Sequence, residues 1–120
     1  MSRQPEGRIV EKIKLLFQEN GGRPFKIVGS DEGFQETGIP DLLVCFRGRF
    51  IGAEVKQPGA DLRPTQRVIL HEIYRAGGVA AVLETVEQAA ELLSHLKDRR
   101  FSEGPICYDR GEYRSKCRFV

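Results

Sequence analysis

Apolar positions recur along this chain with two periods, and the switches between them mark its elements. From about 5 to 20, Ile9, Ile13, Leu16 and Phe17 stand three and four residues apart, one face of a helix. Pro5 suits its first turn and Gly21-Gly22 stops it. Pro24-Phe-Lys-Ile-Val-Gly29 reads as a short strand. Residues 30–38 are polar and rich in glycine, a loop. Two apolar runs follow, 41–46 and 50–56, joined by Arg47-Gly48-Arg49 as a β-hairpin. Gln57-Pro58-Gly59-Ala60-Asp61 is a turn, because its proline cannot continue a ladder.

A second helix begins near Pro64 and ends at Gly77-Gly78, with Ile69, Leu70, Ile73 and Tyr74 on one face. The unbroken apolar run 79–83 predicts a strand buried on both sides. Thr85 with Gln88 forms a capping box for a third helix that runs to about Leu96 and buries Val86, Ala89, Ala90 and Leu93. The remainder, 98–120, is expected to hold a short hairpin around Asp109-Arg110-Gly111-Glu112. The order α-β-β-β-α-β-α predicts an α/β domain with one central mixed sheet flanked by helices on both faces. The strand–helix–strand connection from Glu54 to Leu83 is long enough for a crossover, so those two strands are expected to be parallel.

The register of the hairpin decides where its charges go. With a two-residue turn at Arg47-Gly48, Phe46 pairs with Arg49 and Asp41 falls opposite Glu54. A turn at Gly48-Arg49 shifts the register by two and keeps both carboxylates on one face. A three-residue loop would send them to opposite faces. Glu54 and Lys56 share a face in every case. Two carboxylates and an ammonium thus converge at the end of an apolar hairpin. Charges are rarely buried unless they are paired or bound to a metal. A divalent cation such as Mg²⁺ offsets two adjacent carboxylates, whereas a solvated hairpin face with a Lys–Glu pair is the plain structural alternative. Glu6 lies within the apolar stripe of the first helix and Glu11 on its far side. Gln66 lies on the apolar face of the second helix, in its first turn, where a buried amide needs partners.

Composition narrows the class without naming it. A chain of 120 residues with 40% hydrophobic and 30% charged residues is an ordinary single domain, small enough for dimerisation to help it. The net charge of +2 is modest, but from Lys97 onward seven basic residues stand against four acidic ones, a surplus that suits phosphate contact. Cys45, Cys107 and Cys117 are too few and too scattered for a disulfide framework or a zinc site, and Cys45 is expected to pack as a small apolar side chain. His71 and His95 have no spacing partners and are expected at the surface or an interface rather than in a catalytic role. With neither a signal-peptide pattern nor a membrane-spanning apolar run, the expectation is a reduced cytoplasmic protein.

Pro40-Asp41 followed by Glu54-Val55-Lys56 resembles the signature of the PD-(D/E)XK nuclease superfamily. The ordered set Gly38-Ile39-Pro40-Asp41, Gly48-Arg49-Phe50, Glu54-Val55-Lys56, Gln66 and Ala76-Gly77-Gly78 resembles its VRR-NUC branch, in particular the small stand-alone members of phages and prophages. The layout is also similar to that of the archaeal-type Holliday-junction resolvases. The likeness spans residues 5 to about 93, so 1–97 is taken as the nuclease domain and 98–120 as a basic C-terminal extension. The resemblance implies a restriction-endonuclease-like core. It implies Mg²⁺ or Mn²⁺ held by Asp41, Glu54 and the Val55 backbone carbonyl, with Glu6 helping directly or through water. Lys56 would orient or deprotonate the attacking water, and Gln66 would stand near the metal. It further implies hydrolysis of DNA by a homodimer selective for branched substrates such as Holliday junctions. A non-catalytic nucleic-acid-binding or assembly module on the same fold is the rival reading. The presence of Asp41, Glu54, Lys56 and Gln66 together argues against it. Ribonuclease activity is a third reading that nothing in the sequence excludes.

Overall fold

The computed structural model describes residues 6–28, 37–98, 104–117 and 119. Nine elements follow in order: α1 (Glu6–Glu19), β1 (Arg23–Lys26), β2 (Leu42–Phe46), β3 (Arg49–Val55), α2 (Pro64–Arg75), β4 (Val79–Leu83), α3 (Val86–Lys97), β5 (Ile106–Asp109) and β6 (Glu112–Arg114). The strands form one sheet in the order β1-β2-β3-β4-β5-β6. The β3–β4 and β4–β5 pairs are parallel and the other pairs antiparallel. The expected mixed sheet with helices on both faces, a restriction-endonuclease-like core, is therefore present. Residues 29–36, most of the predicted loop, lie outside the described residues, as do Pro5, Arg99, Arg100 and Arg118.

The hairpin register is the one a two-residue turn dictates: Phe46 pairs with Arg49 and Leu42 with Ala53. Arg47 and Gly48 both have positive φ, 51° and 78°, which matches the twist of the flanking strands. Alternation then divides the sheet between two cores. Val44, Ile51, Ala53, Val55, Ala81 and Tyr108 face α1 and α3, where Ile13, Phe17, Leu92 and Leu96 complete the larger core. Ala80, Val82 and Cys107 face α2, beneath Leu70, with Ile73 and Tyr74 packed alongside.

Gly52 makes that second layer thin. A Cβ there would stand 2.5 Å from Ile73 Cδ1 and 3.2 Å from Pro40 Cγ, so the bare backbone lets Ile73 and Pro40 pack close against β3. Gly38 is constrained twice: its φ is 91°, and a Cβ would lie 2.5 Å from the Thr65 carbonyl oxygen. These contacts seat the segment that leads to Asp41 directly on the first turn of α2.

Several details differ from the sequence expectations. Cys45 is exposed, because Val44 and Phe46 take the inward positions of β2. In α3, Leu92 and Leu96 are buried whereas Ala90 is exposed and Val86 only partly covered. Glu6 begins α1 on the exposed side of the first turn rather than within a buried face. Beyond residue 97 the chain adds two strands to the sheet. The predicted hairpin forms with Asp109 opposite Glu112, and β5 inserts its buried Cys107 and Tyr108 beside β4. Cys117 and Phe119 close the core beneath α2.

Candidate active site

The residue after Ala53 in β3 faces away from the large core, so Glu54 points toward α2. It is 3% exposed, the one charged side chain among the buried residues described. The register places Asp41 opposite it at the head of β2. The Val55 N–H donates to Asp41 Oδ2 at 2.9 Å, which fixes that carboxylate against β3. Lys56 continues the line of β3, and its N–H donates to the Leu83 carbonyl at 2.9 Å. Asp41 and Lys56 are both half-buried.

From the opposite side, α2 delivers Gln66. Its Nε2 donates to Glu54 Oε1 at 3.1 Å and its Oε1 accepts from the Arg63 N–H at 2.8 Å. One rotamer thus gives both ends of this amide a partner and sets it against Glu54. Glu54 Oε2 is buried and has no hydrogen-bond partner. Burial pushes the Glu54 carboxyl from its ordinary 4.5 up to about 8, and the Asp41 carboxylate adds to the rise. Lys56 opposes the shift, and Glu6 contributes weakly in the raising direction.

The structure therefore brings Asp41, Glu54, Val55, Lys56 and Gln66 together. Glu6 is sensed by Glu54 through space, but among the described residues no three His, Cys, Asp or Glu side chains gather as a metal-ligating cluster. Glu11 instead pairs with Lys26 at 2.8 Å on the exposed flank of α1. The donor set at the centre suits a small hard cation. Two carboxylates meet in a poorly hydrated place, and a buried oxygen of one lacks any proton donor.

Sequence reasoning did not single out Glu84. It follows Leu83, the parallel partner of Val55, so it stands at the same end of the sheet as Lys56. A charged residue directly after each of two paired buried strands was the available signal. Nor did it foresee the tie from the Val55 N–H to Asp41, which depends on a side-chain rotamer rather than on spacing.

No family model matches the chain, and no curated protein matches it. Among solved structures it is similar to one described as a VRR_NUC domain, with a TM-score of 0.61 and 34% sequence identity, over 75% of this chain and 95% of that one. Sheet order, flanking helices and this similarity define a nuclease built on the restriction-endonuclease-like fold. Within that class, the chain belongs to the VRR-NUC family.

Proposed function

We propose that the chain is a divalent-metal-dependent endonuclease that hydrolyses DNA phosphodiester bonds, acts as a homodimer and prefers branched DNA such as four-way junctions. The observation that carries the metal dependence is the partnerless buried Oε2 of Glu54 beside Asp41. Mg²⁺ or Mn²⁺ held by Asp41, Glu54 and the Val55 carbonyl would supply Lewis acidity and an activated water. Glu6, which adds weakly to the upward push on the Glu54 carboxyl, would assist through water.

The chain's own groups do the rest. The Val55 N–H and Gln66 orient the two carboxylates before substrate arrives. The Lys56 ammonium, on the same face, donates to the attacking water and to the charge that grows on the phosphate oxygens. Arg63, Thr65 and Arg67 surround the start of α2, where they can meet the DNA backbone. The preference for branched DNA rests on the resemblance to junction resolvases. The homodimer draws support from Phe25 on the edge strand β1 and Phe50 on β3, 51% and 50% exposed.

The test is cleavage of labelled duplex, single strand, flap and four-way junction, and of matching RNA, with Mg²⁺, Mn²⁺ or EDTA. Metal-dependent cutting of the junction, abolished by Asp41→Asn and Lys56→Ala, is the expected outcome. Binding without cutting in every condition would favour a non-catalytic module instead.

A further inference from the structure

Lys56 and Gln66 are joined by a connector, residues 57–63, that runs between β3 and α2 outside the sheet ladders. Lys56 precedes it directly and Gln66 stands in the first turn of the helix that follows it, so its path bears on how both approach Glu54. The connector is tight at its start, where the Ala60 N–H donates to the Gln57 carbonyl at 2.9 Å. Two side chains from elsewhere in the fold then grip its middle. The Gly59 N–H donates to Glu84 Oε2 at 2.9 Å, and Arg110 Nη1 donates to the Ala60 carbonyl at 2.8 Å.

The two gripping residues also meet each other, with Arg110 Nη1 3.7 Å from Glu84 Oε2. Each is itself held by the sheet. Glu84 follows Leu83 at the end of β4, and its N–H donates to Gln88 Oε1 at 2.7 Å. Arg110 sits in the β5–β6 turn, where its N–H donates to the Val82 carbonyl at 2.9 Å and its Nε lies 3.3 Å from Asp109 Oδ1. Both side chains are largely covered, 15% and 25% exposed. A pair so placed gains more from fixed geometry than a solvated surface pair does.

On this geometry we infer that Arg110 and Glu84 are positioning residues for the hydrolysis. They clamp the connector so that Lys56 and Gln66 are held at the carboxylates, and the C-terminal hairpin thereby becomes part of the working enzyme. The inference rests on the nuclease reading above, since it assigns a task to residues that serve Lys56. An arginine near such a site is otherwise expected to bind DNA phosphate. Here Nη1 donates to the Ala60 carbonyl, and the guanidinium lies within ion-pair distance of Glu84 and Asp109, inside the protein.

The test uses the full chain with Arg110→Met, Arg110→Lys and Glu84→Ala, and reads cleavage kinetics, DNA affinity at several salt concentrations, and amide exchange. Glu84→Ala reaches the connector from the opposite side, so the question stays answerable if Arg110→Met folds poorly. The expected result for Arg110→Met is a fall in kcat of about 10- to 100-fold with little change in KM, the scale of a displaced but intact group. Exchange at the Gly59 amide rises about 10-fold, and Arg110→Lys recovers part of kcat. The double variant falls little further than either single one, because both act through one connector.

Three results overturn the inference while leaving the nuclease reading intact. The first is unchanged Gly59 exchange in both variants. The second is a freed connector with undiminished kcat, in a protein whose cleavage Lys56→Ala abolishes. The third is weaker DNA binding with a shallower salt dependence and normal kcat, the mark of a phosphate contact. Wild-type protein that cuts no nucleic acid overturns both.

Discussion

Glu54→Gln should make the metal-free protein more stable at neutral and alkaline pH, although it removes the carboxylate most central to the site. Burial and the neighbouring Asp41 raise the Glu54 carboxyl from 4.5 to about 8. Between those values the folded state holds a proton that the unfolded state has released. The stability tied to that proton is complete below pH 4.5 and is lost as pH rises through 8. Each pH unit well inside the window costs about 1.4 kcal/mol, so passing from pH 5 to pH 8, which includes the flattening at its upper edge, costs about 3–4 kcal/mol from this group alone. That is a large part of the 5–15 kcal/mol typical of a domain.

A glutamine in the same place keeps an acceptor for Gln66 Nε2 and carries no titrating proton. Urea unfolding in EDTA should therefore give similar stabilities for wild type and variant at pH 5. At pH 8 the variant should be more stable by about 3–4 kcal/mol. Millimolar Mg²⁺ should restore the wild type at pH 8 and leave the variant unchanged, since a cation bound by the ionised carboxylate stabilises the folded state. Parallel pH profiles for the two proteins would refute the reasoning, because Glu54 would then titrate as an ordinary exposed carboxylate.

Lys56→Ala should lower cleavage by about 10²-fold or more with the fold retained, as checked by single-turnover rates and thermal melting. Gln66→Ala leaves Glu54 Oε1 and the Arg63 N–H without their partner, and should cost about 1–2 kcal/mol in urea unfolding. Gly38→Ala forces both an unfavourable φ and a clash with the Thr65 carbonyl. It should destabilise by about 1–3 kcal/mol, and cleavage should fall as well, because Asp41 follows three residues later.

The elements were legible because their apolar residues keep strict periods and their ends carry glycine or proline. The sequence left more than one hairpin turn open; the two-residue turn at Arg47-Gly48 is the one that forms, and its register places Asp41 across from Glu54. The faces of β2 were not legible: Leu42-Leu-Val-Cys-Phe46 is apolar throughout, so alternation could not show that Cys45 points outward. The exposed Ala90 and the buried Leu92 and Leu96 show the same limit in a helix, where a small residue at the edge of a stripe gives no sign of its side. The place of β5 in the sheet was hidden because Ile106-Cys-Tyr-Asp109 is too short to declare a parallel partner. The site was legible as a set of residue types. Its partnerless oxygen and its hydrogen bonds arise from tertiary packing and could not be read from spacing.

Calorimetric titration of Mn²⁺ into the purified protein at neutral pH tests the central claim most directly, with Asp41→Asn, Glu54→Gln and Lys56→Ala measured alongside. The account predicts binding by wild type and Lys56→Ala, and binding lost or strongly weakened in the two carboxylate variants. Equal binding by Asp41→Asn and wild type would contradict it, since the cation would then sit somewhere other than the Asp41–Glu54 pair.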